Sequence, residues 1–139
     1  MTVTETVHAV GHANVTATHD STFEVTTDDY LTPAGDCIFG IEADAAPADF
    51  DAAFVEAARD DEATITATID VRDRSFTITG RGDTALAFEN ERSMVGRTST
   101  YVDDRTIMLE ADAAATDIPR DLVAALSGGA RVTVRLSVE

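Results

Sequence analysis

The phrase Glu-Ala-Asp-Ala-Ala stands twice in this chain, at 42–46 and again at 110–114, each time between an apolar run and a stretch with helical spacing. Ile38, Phe39 and Ile41 lead into the first copy, and Phe50 and Phe54 follow it where Ile118 and Leu122 follow the second, 68 positions later. Self-similarity of this kind limits the fold more than local propensity does, because whatever one half builds the other must also build. The expectation is a single domain over residues 1–139 made of two fused repeats, about 1–70 and 71–139, since only the short polar turn Asp70 to Arg74 lies between them.

Within each half the apolar spacing changes character. Val3 to Val10 alternates, with Val3, Glu5, Val7 and Ala9 on one parity, and Val15 to His19 and Phe23 to Val25 alternate likewise, which predicts a three-stranded meander. Pro33 and Gly35 then redirect the chain, and Cys37 to Ala43 reads as a strand buried on both faces. From Pro47 to Ala58 the period becomes helical, with Phe50, Phe54, Val55 and Ala58 on one face and Asp49 and Asp51 near the start, where acids favour the dipole. Ile118, Leu122, Val123 and Leu126 form the counterpart, stopped by Gly128-Gly129. Ala63 to Asp70, Ser75 to Thr79, Ala85 to Glu89, Ser93 to Thr98, Arg105 to Ala111 and Arg131 to Val138 complete about ten short strands, with Gly80-Arg81-Gly82-Asp83 as the turn of the second half. This pattern predicts a mainly β domain, a two-repeat, jelly-roll-like β-sandwich with two short helices.

Charge narrows the environment. Twenty-six acids face ten bases, all of them arginine, for a net charge of −16. Such self-repulsion destabilises a compact chain in dilute buffer and is largely screened at ~1 M salt, where the Debye length is about 3 Å. The apolar fraction of 44% and its clear periodicity argue for a folded domain rather than a disordered polyanion. An acidic, lysine-free composition is therefore read as halophilic. The single Cys37 allows no intrachain disulfide, and the first residues carry neither a basic nor an apolar signal region, so a cytoplasmic protein is expected. No apolar stretch approaches the roughly 20 residues of a spanning helix, so no membrane association is expected.

At Gly11-His12-Ala13-Asn14-Val15-Thr16-Ala17-Thr18-His19, with Thr22-Phe23-Glu24 and Leu31-Thr32-Pro33-Ala34-Gly35-Asp36-Cys37-Ile38, the chain resembles the archaeal family catalogued as domain of unknown function 371. Gly80-Arg81-Gly82-Asp83, Ser93-Met94-Val95 and Arg105-Thr106-Ile107-Met108 resemble the second half of the same family. The resemblance implies an archaeal, and with this composition a haloarchaeal, source and a mainly β domain; it implies no activity.

The candidate ligand site is His12, Asn14, His19, Glu24, Asp36 and Cys37, because a shift of 69 turns His12 into Arg81, Asn14 into Asp83 and His19 into Phe88, leaving this polar group to the first half alone. His12, His19, Glu24 and Cys37 are also the donor types of a tetrahedral zinc site, which makes a divalent metal the candidate cofactor, although their spacing matches no known metal motif. The same residues suit turns and buried positions: His12, Asn14 and Asp36 as turn formers, Cys37 as a small apolar residue. The repeated acids Glu42, Asp44, Glu110 and Asp112 either cap backbone N–H groups or converge on a hard cation. The arginines alternate with acids and form no run, so nucleic acid is an unfavoured partner. The function these residues support best is binding of a small molecule or a protein partner through the first half. The alternatives are a hydrolase- or lyase-type enzyme with a His and carboxylate pair, metal-assisted or not, and a purely structural role.

Overall fold

In the computed structural model, which describes residues 2–139, the chain runs through eight strands and two short α-helices. The strands are β1 (Val3–Val10), β2 (Thr22–Thr26), β3 (Ile38–Gly40), β4 (Thr64–Val71), β5 (Arg74–Arg81), β6 (Ser93–Arg97), β7 (Thr106–Met108) and β8 (Arg131–Val138). Helix α1 (Ala52–Ala58) precedes β4, and α2 (Arg120–Ser127) precedes β8. The first sheet has the order β1-β8-β4-β5 and is antiparallel throughout. The second has the order β3-β2-β6-β7, with an antiparallel centre and a parallel pair at each edge. The fold is thus mainly β, two sheets over a common core.

The parity read from the sequence decides which side of each strand is dry. Val7 and Ala9 of β1, Ile65, Ala67 and Ile69 of β4 and Val132, Val134 and Leu136 of β8 are buried, while the intervening Thr6, His8, Arg131 and Arg135 are exposed. Phe23 and Phe39 of the second sheet and Phe54 and Leu126 of the helices join the same cluster. Phe50, Phe54 and Phe88 pack with ring centroids 5.4, 5.9 and 6.0 Å apart, two of the three contacts edge to face. Full burial of one such ring contributes about 2–3 kcal/mol.

Several expectations need correction. There are eight strands among the described residues, not about ten, because 15–19 and 85–89 are loops. Ala17 (φ 47°) and Phe88 (φ 52°) are left-handed, which breaks an extended run, yet both side chains are buried. The apolar alternation there comes from loops that pack on the core. The meander does not form either, since β1 pairs with β8 while β2 pairs with β3 and β6. Parallel edge pairs also depart from the antiparallel jelly roll. β3 stops at Gly40 because Ile41 crosses to the first sheet, exchanging hydrogen bonds of 2.7 and 2.9 Å with Val10. Leu109 does the same with Arg81, at 2.8 and 3.0 Å. Gly80 and Arg81 lie within β5, so the turn begins only at Gly82. Each helical stretch is split, a 3-10 turn (Pro47–Asp49 or Ala115–Asp117) preceding the α-helix. In each turn the acid at its end accepts a hydrogen bond from the backbone N–H of Ala46 or Ala114, both at 2.9 Å.

Two glycines set how closely helix and strand meet. A Cβ on Gly11 would lie 1.9 Å from the carbonyl oxygen of Leu126 near the end of α2, and one on Gly82 would lie 2.1 Å from that of Ala58 at the end of α1. Any other residue at either place pushes a helix off the sheets.

Candidate functional site

The two histidines of the expected site are separate turn formers. His12 Nδ1 accepts the backbone N–H of Asn14 at 3.0 Å, and Asn14 Nδ2 donates to the carbonyl of Leu31 at 2.7 Å, which ties the turn after β1 to the loop after β2. His19 Nδ1 accepts the backbone N–H groups of Ser21 and Thr22, at 3.2 and 3.1 Å, and so shapes the entry to β2. These bonds assign the proton of each neutral ring to Nε2. Asn90 does the same work ahead of β6, its Oδ1 accepting from Arg92 and Ser93, both at 2.8 Å. The strand pairing sets Val10 beside Ile41 and Arg81 beside Leu109. Arg81 is itself a member of its bridge, whereas His12 lies two residues beyond Val10, so a shift of 69 does not align the two bridges. The contrast drawn from a shift of 69 does not hold in the structure.

Glu24 and Cys37 do come together. Both stand on the outer side of the second sheet, because Phe23 and Val25 take the inner side of β2 and the N–H of Glu24 bonds the carbonyl of Cys37 at 2.9 Å. The Cys37 thiol donates to Glu24 Oε1 at 3.3 Å. Burial, then the charge of Glu24, pushes the thiol up to about 12. At neutral pH it is a protonated hydrogen-bond donor rather than a nucleophile. The Thr22 hydroxyl lies 3.0 Å from His19 Nδ1. Asp36 contributes its backbone: its carbonyl accepts from Thr18 and His19 at 2.9 and 3.2 Å.

Glu24 opens onto a cleft of about 330 Å³ that the candidate list otherwise misses. Its walls come from β2, the loop 27–37, and residues of the second half. Thr26 and Ser93, directly paired across β2 and β6, form the floor with Glu24. Leu31 and Ile38 give one apolar wall, and Tyr30, 54% exposed, stands at the rim. Arg92 Nε spans both oxygens of Asp28 at 2.9 Å and Arg92 Nη2 donates to the Tyr30 hydroxyl at 2.9 Å. The Arg92 guanidinium holds Asp28 below the usual carboxylate range. Arg105, on the far side, is anchored to Asp103 through Nε and Nη2, at 3.2 and 2.9 Å. Burial works against ionisation of Asp103, but hydrogen bonds from Arg105 and the charges of Arg97 and Arg105 outweigh it and bring the carboxyl to about 2.

A little further along the same sheet face the geometry differs. Arg97, only 9% exposed, donates from Nε to Thr106 Oγ1 at 2.9 Å and from Nη2 to Asp103 at 3.0 Å. Its guanidinium carbon lies 4.8 Å from the centre of the Tyr101 ring. Burial within an ion pair and under an aromatic face is the arrangement in which arginine is most firmly held.

Three of the repeated acids have separate partners. Asp44 accepts the backbone N–H of His8 at 2.8 Å and pairs with its Nδ1 at 3.0 Å, while Asp112 accepts the N–H of Thr79 at 2.9 Å. Glu110 pairs with Arg81, and both Glu42 (φ 54°) and Glu110 (φ 51°) are left-handed at the crossing between sheets. Among the described residues no three His, Cys, Asp or Glu side chains are grouped for a metal, and no buried side-chain N or O lacks a partner. No helix there is long and apolar enough to cross a membrane. The six arginines 74, 81, 92, 97, 105 and 135 are each salt-bridged to an acid, so no basic patch is presented by them.

The comparisons agree with the resemblance seen in the motifs. A protein of the archaeon Methanocaldococcus jannaschii, described as uncharacterised, is 40% identical over 132 residues, which cover 95% of this chain and 97% of that protein. The family model described as "Domain of unknown function (DUF371)" matches residues 7–139, and the chain belongs to that family.

Proposed function

We propose that the chain is a small-molecule binding module whose site is the cleft bounded by Glu24, Tyr30, Arg92 and Arg105, and that it is built as two fused repeats. Under the repeat reading, a local twofold passes between Glu24 and Val95, which pair at the middle of β2 and β6. It exchanges Thr26 with Arg97, since Thr26 pairs with Ser93 and Thr22 with Arg97. It also exchanges Tyr30 with Tyr101. The observation that carries the proposal is this contrast: under Tyr101 the space holds the chain's own guanidinium, while under Tyr30 the short Thr26 leaves a cleft open. A cavity kept open on one side of a sheet and filled on the other is a feature of sequence, not of fold. Its size is at the lower end of small-ligand sites.

The reading also takes the chain to be a salt-adapted cytoplasmic protein, on the strength of its charge and lysine-free composition. Thr26→Arg tests the site, because the fold already accommodates arginine at the exchanged position. Wild type and variant are incubated in molar KCl with a small-molecule cell extract, freed of unbound solutes, and analysed by mass spectrometry. Wild type should retain a compound that Thr26→Arg does not, with both folded by circular dichroism. Equal retention by the two, or none by either, contradicts the reading.

A further inference from the structure

We propose that the ligand of this cleft is a small zwitterion of the α-amino-acid type with an apolar side chain; this rests on the cleft being a binding site. Three groups on its walls have hydrogen-bonding capacity that the protein does not use. Among the described residues, Arg92 bonds through Nε and Nη2 and Arg105 through Nε and Nη2, leaving both Nη1 groups without a protein acceptor. Glu24 receives the Cys37 thiol on Oε1 and nothing on Oε2. The cleft therefore offers donors from two guanidinium groups and one carboxylate acceptor.

Charge balance sets the net charge of what enters. The charged lining residues are Glu24, Asp28, Arg92 and Arg105, which cancel. A net anion or net cation would leave one of these groups opposed without compensation, whereas a molecule carrying both signs meets each with its opposite. A carboxylate suits the guanidinium edges, whose planar N–H pairs match its two oxygens. An ammonium suits Glu24, the one carboxylate of the lining whose polar partner is a neutral thiol rather than a guanidinium. The remaining wall, Leu31 and Ile38 beneath Tyr30, is apolar and takes the side chain. The short approach of Gly35 to Leu31, where a Cβ would lie 2.8 Å from Leu31 Cδ1, keeps that wall close to the loop backbone.

Calorimetric titration in molar KCl with leucine, N-acetyl-leucine and leucinamide tests the class. Leucine should bind, and each derivative, lacking one charge, should bind at least tenfold more weakly. Glu24→Gln should weaken leucine tenfold or more and should not weaken N-acetyl-leucine, whose carboxylate no longer meets a like charge in the cleft. Derivatives that bind as well as leucine, or leucine binding equally to Thr26→Arg, overturn the proposal. If none of the three binds but the extract experiment yields another compound, the zwitterion class falls and the binding site stands. If the extract experiment also yields nothing, the site itself falls. The derivative series uses wild-type protein, so it decides the matter even if Glu24→Gln fails to fold.

Discussion

Asp103 stands between two guanidinium groups, those of Arg97 and Arg105, and is held ionised down to about 2. A carboxyl whose folded value is depressed contributes stability above its unfolded value and loses it as pH falls through the folded one. From an ordinary 3.8 to about 2 the contribution is about 2 kcal/mol, present at pH 5 and above, mostly lost by pH 2 and gone only below it. Urea unfolding at pH 5 and pH 2.5 should show the Asp103→Asn variant losing less stability on acidification than wild type; an equal loss removes Asp103 from the account. Residues of this kind were hidden in the sequence. Glu24 and Cys37 were legible as candidates because a carboxylate and a thiol are donor types and stand close to apolar residues of the first half, but Asp28 and Arg92 lie 64 positions apart and nothing local marks them as a pair. His12 and His19 drew attention by their chemistry, yet the partners of their rings are backbone N–H and hydroxyl groups within three residues, the use to which short polar side chains in turns are most often put.

At the scale of elements, helix placement depends on close approach more than on helix propensity. α1 and α2 are only seven and eight residues long, too short to be stable alone, so their contact with the ends of the strands must hold them. Gly11→Ala places a methyl group against the Leu126 carbonyl and should cost about 2–3 kcal/mol in chemical denaturation. Gly128→Ala, with no atom closer than 3.4 Å, is the control and should cost well under that. The strands from Val3, Thr64 and Arg131 and both helices could be read from period alone, because their periods match the faces they bury. The loops at 15–19 and 85–89 could not, since a left-handed residue leaves the apolar alternation untouched while it ends the extended backbone. Nor does period two tell which sheet a strand joins, which is why the meander was expected and the crossing at Ile41 was not.

For the whole molecule the controlling quantity is the net charge of −16. Thermal unfolding should rise with KCl from 0.1 to 2 M, each kcal/mol relieved by screening moving Tm by roughly 4 °C. The rise should continue beyond the range where simple Debye screening saturates if ions also bind the acidic surface. A Tm independent of salt would contradict the halophilic reading. The fold's second sheet carries its two edges as parallel pairs, and under the proposed repeat its outer face is where the halves differ, Thr26 on one side and Arg97 on the other.

The central claim is that the open cleft beside Glu24 is where this chain binds. Two-dimensional amide NMR of the labelled chain, titrated in molar KCl with a compound retained from the cell extract, tests it most directly. The account predicts saturable shifts confined to residues 24–35, 90–93 and 105, absent in Thr26→Arg. Shifts centred instead on the groove along α1, at Ala52, Val55, Arg59 and Thr84, or around His12, would contradict it.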